Sequence, residues 1–408
     1  MKNRTRSTYR AIRNRLEKYI PPFSYMSVFL TPRPKREEKK KLLIVRIDGI
    51  GDFILFSPML AYYRELYKEY EITLLVNTMN RELADRYLTD GTLDHVLTFD
   101  FDRKKSSGNF WYNRAFLKTI RDLQFSVTIY PVYSREIIGD YMIAVSGARE
   151  KIGYDGDYRN ISKSTREKTD TYYTELILAS PGILQESERN KEFVERLAAH
   201  LGVPVHITAY LPVFTPSVED MHTAEQLLYT AGFNPIKKYM IVCPGSSSSN
   251  KNWPVEKFAD LITQLHQTYG LEVIVGGSTQ ETATTKALQG LLPFSIIDLT
   301  GKTTLPVFGA VCKKAEIYIG NDTGTTHIAA ATGLVTVCIV GEGIDRFFPY
   351  GNTEKNIAVY DETTYASAVA GDPEMRYKLM HGTEKNVTVT QVLGTIHKAL
   401  EYTHHATN

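Results

Sequence analysis

The hydrophobic residues of this chain fall into short, nearly continuous apolar runs, and longer stretches with helical periodicity separate them. Runs of this kind that stop at glycine or a polar residue are typical of buried strands in a parallel sheet. In the first half, the predicted strands are 41–47, 71–77, 95–100, 126–133 and 149–154. Because these strands alternate with helices, the pattern predicts βαβ units.

The same alternation returns in the second half. Its predicted strands, each ending at or near glycine, are 239–245, 271–277, 295–301, 316–320 and 335–341. A segment with several prolines, Gly202–Asp220, precedes this series and is the expected interdomain joint. The sequence therefore predicts an α/β protein with two doubly wound domains.

Helices are predicted between these strands. One runs from the turn after the first strand to about Tyr70, one lies between the strands 126–133 and 149–154, and the others cover 81–88, 110–122, 186–201 and 218–231. A further helix is expected to begin near Pro254. The polar stretch 155–171 is predicted to be a loop.

Composition places the chain among soluble globular proteins. Its 408 residues are 43% hydrophobic and 23% charged, and no run approaches the roughly 18 apolar residues that a membrane-spanning helix needs. The first residues lack the apolar core of a secretory signal. Three scattered cysteines form no CxxC pair, and Cys243 and Cys338 stand inside strand-like runs. We therefore expect core thiols in a reducing cytoplasm.

Charge is distributed unevenly along the chain. Residues 1–41 contain 13 Lys/Arg and 3 Glu, a net +10, which leaves −8 for residues 42–408. Apolar residues recur at helical spacing among the basic ones: Ile12, Leu16, Tyr19 and Ile20. A basic amphipathic helix fits an anionic membrane face, but a solvated tail or a helix docked on the protein is an equal alternative. Nucleic acid is disfavoured because the globular part is acidic.

The first candidate site is RIDGIGDFILFSP (Arg46–Pro58), where a strand runs into a glycine-bearing turn and a helix. Gly49 and Gly51 allow the turn to approach a ligand, and Asp52 stands at the helix start. A dinucleotide fingerprint is poorly supported, because Ile54 replaces the third glycine of GxGxxG and no acid ends the second strand. Asp52 is either a catalytic group or an acid favoured by the helix dipole.

The second candidate site is VCPGSSSSNKNWPVEKFADLI (Val242–Ile262). A strand ends there in a Gly-Ser loop, which Lys251, Trp253 and Pro254 follow. Serine hydroxyls, backbone N–H groups and a lysine can neutralise a diphosphate without a metal. A flexible serine-rich loop with a solvated lysine is the alternative, but it leaves the tryptophan unexplained.

The third candidate site is IGNDTGTTHIAAATG (Ile319–Gly333), at another strand-to-helix junction. Its N–H groups and hydroxyls, next to the positive end of a helix, are suited to phosphate. His327 lies one turn into this helix, and a lone histidine is more often structural than catalytic. Asp322 is expected to fix the loop or to meet a sugar or ribose hydroxyl, because a carboxylate beside an anion costs electrostatic energy.

Ligands of open α/β sheets bind off the carboxyl ends of strands, and all three motifs follow strands. In their order and spacing they resemble the bacterial heptosyltransferase-type enzymes of glycosyltransferase family 9. The matching segments, which lie within about residues 41–352, are VRIDGIGDFILFSPML, SGAREKIGY, PGSSSSNKNWPVEKFADL, VIVGGSTQE and IGNDTGTTHIAAATG. The resemblance implies a GT-B architecture, two Rossmann-like doubly wound domains with an interdomain cleft.

The resemblance also implies an inverting sugar transfer that needs neither a metal nor a cofactor. Asp52 would be the general base that takes the proton of the acceptor hydroxyl. On the acceptor side the candidates are Gly51 and Arg135, the latter because YPVYSRE (Tyr130–Glu136) occupies the region of the family's acceptor-side basic residue. The donor would be bound by a larger set: Gly245, Ser246, Ser247, Lys251, Asp322, Thr323, Gly324, Thr325, Thr326 and His327.

Four parts of the chain are expected from this resemblance. They are a basic extension over 1–40, an acceptor-side domain over 41–214, a nucleotide-sugar-binding domain over 215–385, and a C-terminal helix and tail over 386–408. The last part could pack back on the first domain.

The function expected is transfer of a sugar, such as heptose from ADP-heptose, to a bacterial cell-surface glycan or glycolipid such as lipopolysaccharide core. The enzyme would work in the cytoplasm or on the inner face of the cytoplasmic membrane, which residues 1–41 could contact. Two other classes stay open: a non-catalytic sugar-nucleotide or glycan-binding protein with the same fold, and a sugar-nucleotide epimerase or hydrolase. Only an epimerase or hydrolase would convert the donor without an acceptor.

Overall fold

A computed structural model gives the structure of most of the chain. It describes residues 20–32, 39–101, 109–182, 184–246, 248–348, 350–351, 353–369 and 373–406. The predicted amphipathic positions Ile12, Leu16 and Tyr19 lie outside the described residues, and so does Ser247 of the predicted donor site.

The chain folds into two compact units, and each draws on several segments. The first unit consists of Met1–Gly49, Met59–Pro181 and Arg189–Thr208. The second unit consists of Ile50–Pro58, Gly182–Glu188 and Ala209–Asn408. The short segment that carries Asp52 therefore groups with the second unit.

A six-stranded parallel sheet forms the centre of the first unit. Its strands are β1 (Lys41–Arg46), β2 (Glu71–Asn77), β3 (His95–Phe99), β4 (Val127–Tyr130), β5 (Glu150–Tyr154) and β6 (Glu175–Ile177). They lie in the order β3-β2-β1-β4-β5-β6, and Lys41 of β1 pairs with Glu71 of β2. Almost every residue of β1 and β2 is buried, which explains their continuous apolar runs.

The first eight helices, in chain order, are α1 (Ile20–Val28), α2 (Ile50–Phe56), α3 (Met59–Leu66), α4 (Arg81–Thr89), α5 (Phe110–Asp122), α6 (Ile137–Val145), α7 (Lys163–Asp170) and α8 (Glu186–Leu201). Helix α2 and the first residues of α8 belong to the second unit. In the core of the first unit, Leu43 and Leu75 of the sheet pack with Leu117 of α5 and Met142 of α6.

The second unit repeats this sheet topology. Its strands are β7 (Tyr239–Cys243), β8 (Glu272–Val275), β9 (Ile297–Asp298), β10 (Ile317–Asn321), β11 (Thr336–Ile339) and β12 (Asn356–Val359). They lie in the order β12-β11-β10-β7-β8-β9, and every pair is parallel. Both sheets therefore have the strand order of a Rossmann-like fold.

The helices of the second unit from residue 209 onward are α9 (Val218–Thr230), α10 (Val255–Tyr269), α11 (Thr282–Leu291), α12 (Leu305–Lys313), α13 (Gly324–Ala331), α14 (Glu362–Val369), α15 (Pro373–Met380) and α16 (Val389–Ala406). Val392 and Ile396 of α16 are fully buried with Phe258 of α10. The C-terminal helix therefore packs within the second unit.

The predicted α/β fold with two doubly wound domains is confirmed. All ten predicted strands are present, and β6 and β12 were not predicted; β6 is only three residues long and partly exposed. The helix expected to reach about Tyr70 is divided at Pro58, which has no N–H to continue it. All three cysteines are free and buried, and no described helix is long and apolar enough to cross a bilayer.

The predicted loop over 155–171 is wrong in part, because Lys163–Asp170 forms helix α7. Ser162 caps it by accepting a hydrogen bond from the N–H of Thr165. The sequence KSTREKTD has no apolar face, so hydrophobic periodicity does not reveal this helix.

Candidate active site

Helix α2 lies against helix α13 in the second unit, and the two helices meet at glycines. A Cβ atom on Gly51 would lie 2.6 Å from Cδ2 of His327, and one on Gly324 would lie 2.6 Å from Cβ of Ile50. A side chain at either glycine would push the helices apart. Close packing of the two helices thus explains both glycines and brings the turn before Asp52 to the start of α13.

Apolar side chains extend the contact of α2 with the second unit. Leu55 packs with Ala330 of α13, with Cys338 of β11 and with Val340, which directly follows β11. Asp52 lies in the first turn of α2 and is half-buried. The carboxylate is therefore carried by a short helix with a fixed position in the second unit.

Hydroxyl groups organise the loop that precedes α13. Thr323 is its N-cap residue, and its side chain makes no capping hydrogen bond to the described residues. The hydroxyl of Tyr318 lies 3.0 Å from Oγ1 of Thr325 and 2.9 Å from Oγ1 of Thr326. Thr326 is buried and donates to the carbonyl of Asn321 at 2.6 Å. Thr326 therefore supports the loop, while the half-buried Thr323 and Thr325 lie at its surface.

His327 is packed in the second unit. The residue is 3% exposed, and its ring lies parallel to that of Tyr350, with 5.7 Å between the ring centroids. Nε2 is 3.7 Å from Oδ1 of Asp322, which is too long for a hydrogen bond. Nδ1 is buried and has no hydrogen-bond partner among the described residues. The Nε2 edge thus faces Asp322 and Gly51, and the rest of the ring is part of the packing.

The serine-rich loop after β7 is held by its own side chains. Glu281 occupies the space that a Cβ atom on Gly245 would need, so a larger residue does not fit there. Oγ of Ser246 lies 2.7 Å from the carbonyl oxygen of Ser248 and 2.6 Å from Oδ1 of Asn252. The described part of this loop therefore forms a turn that the Ser246 side chain closes.

Asn321, a residue that the sequence analysis missed, ties the two loops together. Its Nδ2 donates to the carbonyl of Pro244 at 2.8 Å, and its Oδ1 accepts from the N–H of Trp253 at 2.9 Å. Trp253 is 1% exposed, and its Nε1 donates to the carbonyl of Val387 at 2.9 Å. The tryptophan is thus a core residue that fixes the end of the loop carrying Lys251.

The ammonium group of Lys251 forms an ion pair with Glu342, whose side chain is 5% exposed. Glu342 also accepts from Nδ1 of His381 at 2.5 Å. Burial alone would lower the pKa of Lys251, but the hydrogen bond and charge of Glu342 raise it. Burial alone would raise the pKa of Glu342, but hydrogen bonds from Lys251 and His381 hold it below its ordinary value. Both members of the pair are therefore charged at neutral pH.

Two more carboxyl groups lie near this pair. Burial, together with the charges of Glu342 and Asp322, raises the pKa of Glu384, which is 2% exposed. The turn after β11 touches both groups. A Cβ atom on Gly341 would lie 2.6 Å from Oε1 of Glu384, and a Cβ atom on Gly343 would lie 2.5 Å from Oδ2 of Asp322. Among the described residues, no three His, Cys, Asp or Glu side chains are arranged to hold a metal ion.

Arg135, the candidate for the acceptor side, lies in the core of the first unit and is 1% exposed. Its Nε is 3.4 Å from Oδ1 of Asp140 on α6, and its guanidinium also pairs with Asp170 on α7. The ring of Tyr173 lies beneath it, 4.6 Å from the guanidinium carbon, and the Tyr173 hydroxyl donates to Asp140 at 2.6 Å. Arg135 thus joins two helices through a buried ionic network.

Glu342, His381 and Glu384 also lie at this site, although they were not predicted from the sequence. Glu342 directly follows the turn residue Gly341 after β11, so the rule that ligands bind at strand ends would have selected it if applied to that strand. His381 and Glu384 follow α15, far from any strand end, and no sequence signal marks them.

The loops after β7, β10 and β11 end at one edge of the second sheet, as parallel strands require. They carry an ammonium group, the N–H groups of a helix N-terminus and several hydroxyls. Donors of this kind stabilise a departing diphosphate. The carboxylate of Asp52, on the helix packed against α13, is a group that can accept a proton.

Known proteins resemble this chain over most of its length. The model of glycosyltransferase family 9 (heptosyltransferase) matches residues 142–378, which is more than half of the chain. The lipopolysaccharide core heptosyltransferase OpsX of Haemophilus influenzae is 21% identical over 339 residues, 80% of this chain and 86% of that protein. A lipopolysaccharide heptosyltransferase 3 of Escherichia coli is 23% identical over 311 residues, 74% of this chain and 84% of that protein.

Solved structures share the fold of this chain. A glycosyl transferase family 9 protein from Veillonella parvula superposes with a TM-score of 0.67 at 16% identity, over 89% of this chain and 97% of that one. The ADP-heptose lipopolysaccharide heptosyltransferase II of E. coli superposes with a TM-score of 0.65 at 15% identity, over 89% of this chain and 99% of that one. These likenesses confirm the GT-B fold with its two Rossmann-like domains. With more than half of its length matched by the family model, the chain belongs to glycosyltransferase family 9 and is a glycosyltransferase.

Proposed function

We propose that this enzyme transfers heptose from ADP-heptose to the core of a lipopolysaccharide, with inversion at the anomeric carbon and without a metal ion. The observation that supports the proposal is the packing of α2 on α13, because Ile50 and Gly51, the two residues before Asp52, lie against Gly324 and His327 of α13. A proton acceptor and a set of diphosphate-binding groups then serve one reaction.

Asp52 is the general base of the proposed reaction. Its carboxylate takes the proton of the acceptor hydroxyl, and the oxygen attacks the anomeric carbon from the face opposite the diphosphate. The bond between the anomeric carbon and the diphosphate oxygen breaks in the same step, and ADP leaves with both bonding electrons. A single displacement of this kind inverts the anomeric configuration.

The charge of the leaving diphosphate is balanced by the protein in this proposal. Lys251 would exchange part of its pairing with Glu342 for a phosphate oxygen, since its side chain keeps 28% exposure. The N–H groups at the start of α13 and the hydroxyls of Thr323 and Thr325 would receive the other oxygens. Gly245 and Ser246 form the turn that lets the loop after β7 approach the donor.

The donor and acceptor classes are supported by relatives. Three of the curated relatives are named as lipopolysaccharide heptosyltransferases. An E. coli heptosyltransferase of the same fold, with a TM-score of 0.59, was solved with ADP-2-deoxy-2-fluoro heptose. A glycolipid acceptor would bring the enzyme to the inner face of the cytoplasmic membrane, where the basic residues of 1–41 would favour anionic lipid.

A donor screen followed by product analysis tests the proposal. Thermal unfolding is measured with ADP-, GDP-, UDP- and CMP-linked sugars, because a bound ligand stabilises the native state according to its occupancy. We expect the largest shift with ADP-heptose. Incubation with ADP-heptose and a lipopolysaccharide that lacks core heptose should then give a product whose anomeric proton shows the inverted configuration by NMR.

Three other results would contradict the proposal in different ways. Binding without any product would favour a non-catalytic sugar-nucleotide-binding protein. Conversion of the donor without an acceptor would favour an epimerase or hydrolase. A product with retained configuration would remove Asp52 as the base of a single displacement.

A further inference from the structure

Helix α1 and the residues after it expose a cluster of large apolar side chains on the first unit. Met26 is 61% exposed, Phe23 60% and Phe29 44%, and Leu30 reaches 87%. Phe23, Met26 and Leu30 are spaced by three and four residues, so they share one face of the helical turn. We call these four residues, together with Trp111, the apolar patch.

The chemistry of this segment is unusual for a surface helix. Residues 20–32, IPPFSYMSVFLTP, contain no charged side chain. The inner face of α1 is already packed on the first unit. Ser24 and Val28 are fully buried, and the ring of Tyr25 stacks on that of Tyr141 with 4.7 Å between the ring centroids. A surface helix normally turns polar residues to solvent. Here the outer face is apolar too, which indicates a second, non-aqueous neighbour.

The first unit holds the patch in a fixed position. The guanidinium of Arg121, on α5, donates to the carbonyl oxygens of Val28 at 2.5 Å and of Pro32 at 3.1 Å and also bonds Thr31. These bonds satisfy carbonyls at the C-terminal end of α1. The patch is thus presented by an anchored helix, although its side chains face water.

Trp111 extends the patch onto the neighbouring helix. Ser24 Oγ donates to the carbonyl of Phe110 at 3.2 Å, so the start of α5 touches α1. Trp111 is the next residue, it is 72% exposed, and its ring meets that of Phe110 edge to face. Tryptophan and phenylalanine are enriched where proteins meet the interfacial region of a bilayer.

The charge of the adjoining chain identifies the neighbour. Residues 1–19, which lead directly into α1, contain seven Lys/Arg and one Glu, a net +6. Apolar side chains beside clustered basic residues are the combination that binds anionic lipid surfaces. A second copy of the chain fits less well, because a symmetric dimer through this face would bring two such basic segments together.

We propose that Phe23, Met26, Phe29, Leu30 and Trp111 insert into the headgroup region of an anionic bilayer, and that the basic residues before them provide the electrostatic attraction. The inference rests on the proposed function only in that a glycolipid acceptor gives the enzyme a reason to be at a membrane. The patch would dock the first unit, which the family resemblance assigns to the acceptor side.

Vesicle binding with tryptophan fluorescence tests the patch directly. The chain has two tryptophans; Trp253 is already buried, so a blue shift on adding vesicles reports Trp111. With vesicles of phosphatidylglycerol and phosphatidylcholine, we expect a blue shift and quenching by brominated lipid. Phosphatidylcholine alone should give little binding, and salt should weaken binding to the anionic vesicles.

Two triple variants separate the patch from general surface hydrophobicity. In Phe23→Ser/Leu30→Ser/Trp111→Ser, co-sedimentation with the anionic vesicles should fall by at least about tenfold, since each exposed apolar side chain adds to the transfer free energy. The matched control replaces three exposed apolar residues of the second unit, Val218, Tyr229 and Ile236, which are 88%, 80% and 90% exposed. The control should bind vesicles like the wild type.

Wild-type vesicle binding by the patch variant would overturn the proposal. A change in sedimentation-equilibrium mass with unchanged vesicle binding would also overturn it and would identify the patch as a contact between copies. Donor binding in solution should be the same in all three proteins. An error in the proposed reaction would appear as absent turnover in every variant, while the difference in vesicle binding would persist.

Discussion

Lys251 in the second unit and Arg135 in the first unit are both cations held by carboxylates, but their surroundings differ. The side chain of Arg135 is fully buried between Asp140 and Asp170, whereas 28% of the Lys251 side chain is exposed beside Glu342. A fully enclosed cation cannot exchange its partner without opening the core. An accessible one can offer its charge to a phosphate. The same pairing chemistry thus serves packing in one unit and, in our proposal, ligand binding in the other.

The largest effect on stability is expected from Arg135→Ala. Removing the guanidinium leaves the buried Asp140 without its cation, so the free energy of unfolding should fall by about 3–5 kcal/mol. Urea denaturation measures this loss, and ADP affinity should stay unchanged. The control Arg159→Ala, at an exposed arginine of the same unit, should change stability by less than about 0.5 kcal/mol. Unchanged stability with a raised KM for the acceptor would instead place Arg135 at the acceptor.

Lys251→Met should weaken ADP binding strongly and should lower stability less than Arg135→Ala does. A charge-assisted hydrogen bond contributes about 1.5–3 kcal/mol, so ADP affinity measured by calorimetry should fall by roughly tenfold to a hundredfold. The loss of stability should be smaller than for Arg135→Ala, because Glu342 keeps its hydrogen bond with His381. The exposed Lys286→Met, also in the second unit, is the control and should leave ADP affinity unchanged. Equal affinities in the two variants would exclude Lys251 from the donor site.

Glu342→Gln should strengthen ADP binding, by a smaller factor than Lys251→Met weakens it. The neutral side chain competes less for the ammonium group of Lys251, so ADP should bind more tightly, by about fivefold for a change of roughly 1 kcal/mol. The matched change Glu281→Gln also replaces a carboxylate by an amide, but it keeps the packing against Gly245 and leaves the Lys251–Glu342 ion pair intact. It therefore separates the loss of a nearby negative charge from the release of Lys251. Weaker ADP binding by Glu342→Gln would mean that this carboxylate positions Lys251 and does not compete for it.

The pH dependence of stability gives the smallest expected effect. The pKa of Glu342 in the folded protein lies below its ordinary value of 4.5. Its stabilising contribution is therefore full above about pH 4.5 and is lost as the pH falls through the lowered pKa. The difference in unfolding free energy between the wild type and Glu342→Gln should shrink over that acid range. A difference that grows as the pH falls would contradict the charged pair.

The sequence predicts much of this fold because parallel strands buried on both faces leave continuous apolar runs, as in β2 and β7. It also locates the loops after β7 and β10, because parallel strands bring their carboxyl ends to one edge of the sheet. Helix α7 was missed because its eight residues are almost wholly polar and depend on the Ser162 cap and tertiary packing.

Tertiary contacts decide the parts of the site that the sequence does not reveal. Helix α2 follows β1 in the chain, yet close packing of Gly51 on His327 groups it with the second unit. No periodicity encodes that association. In the same way, the carboxyl groups around Lys251 come from distant segments, Glu342 after β11 and Glu384 after α15, and only the folded chain brings them together.

The most direct test of the central claim is a single-turnover measurement on Asp52→Asn with saturating donor. If Asp52 is the base, the rate of sugar transfer should fall by about 10²–10⁴, and the Kd for ADP-heptose should be that of the wild type. Asp48→Asn is the matched control, because this acid stands in the same turn and pairs with Arg46 at 2.9 Å; its rate should stay within severalfold of the wild type. A rate for Asp52→Asn equal to that of the wild type would contradict the account.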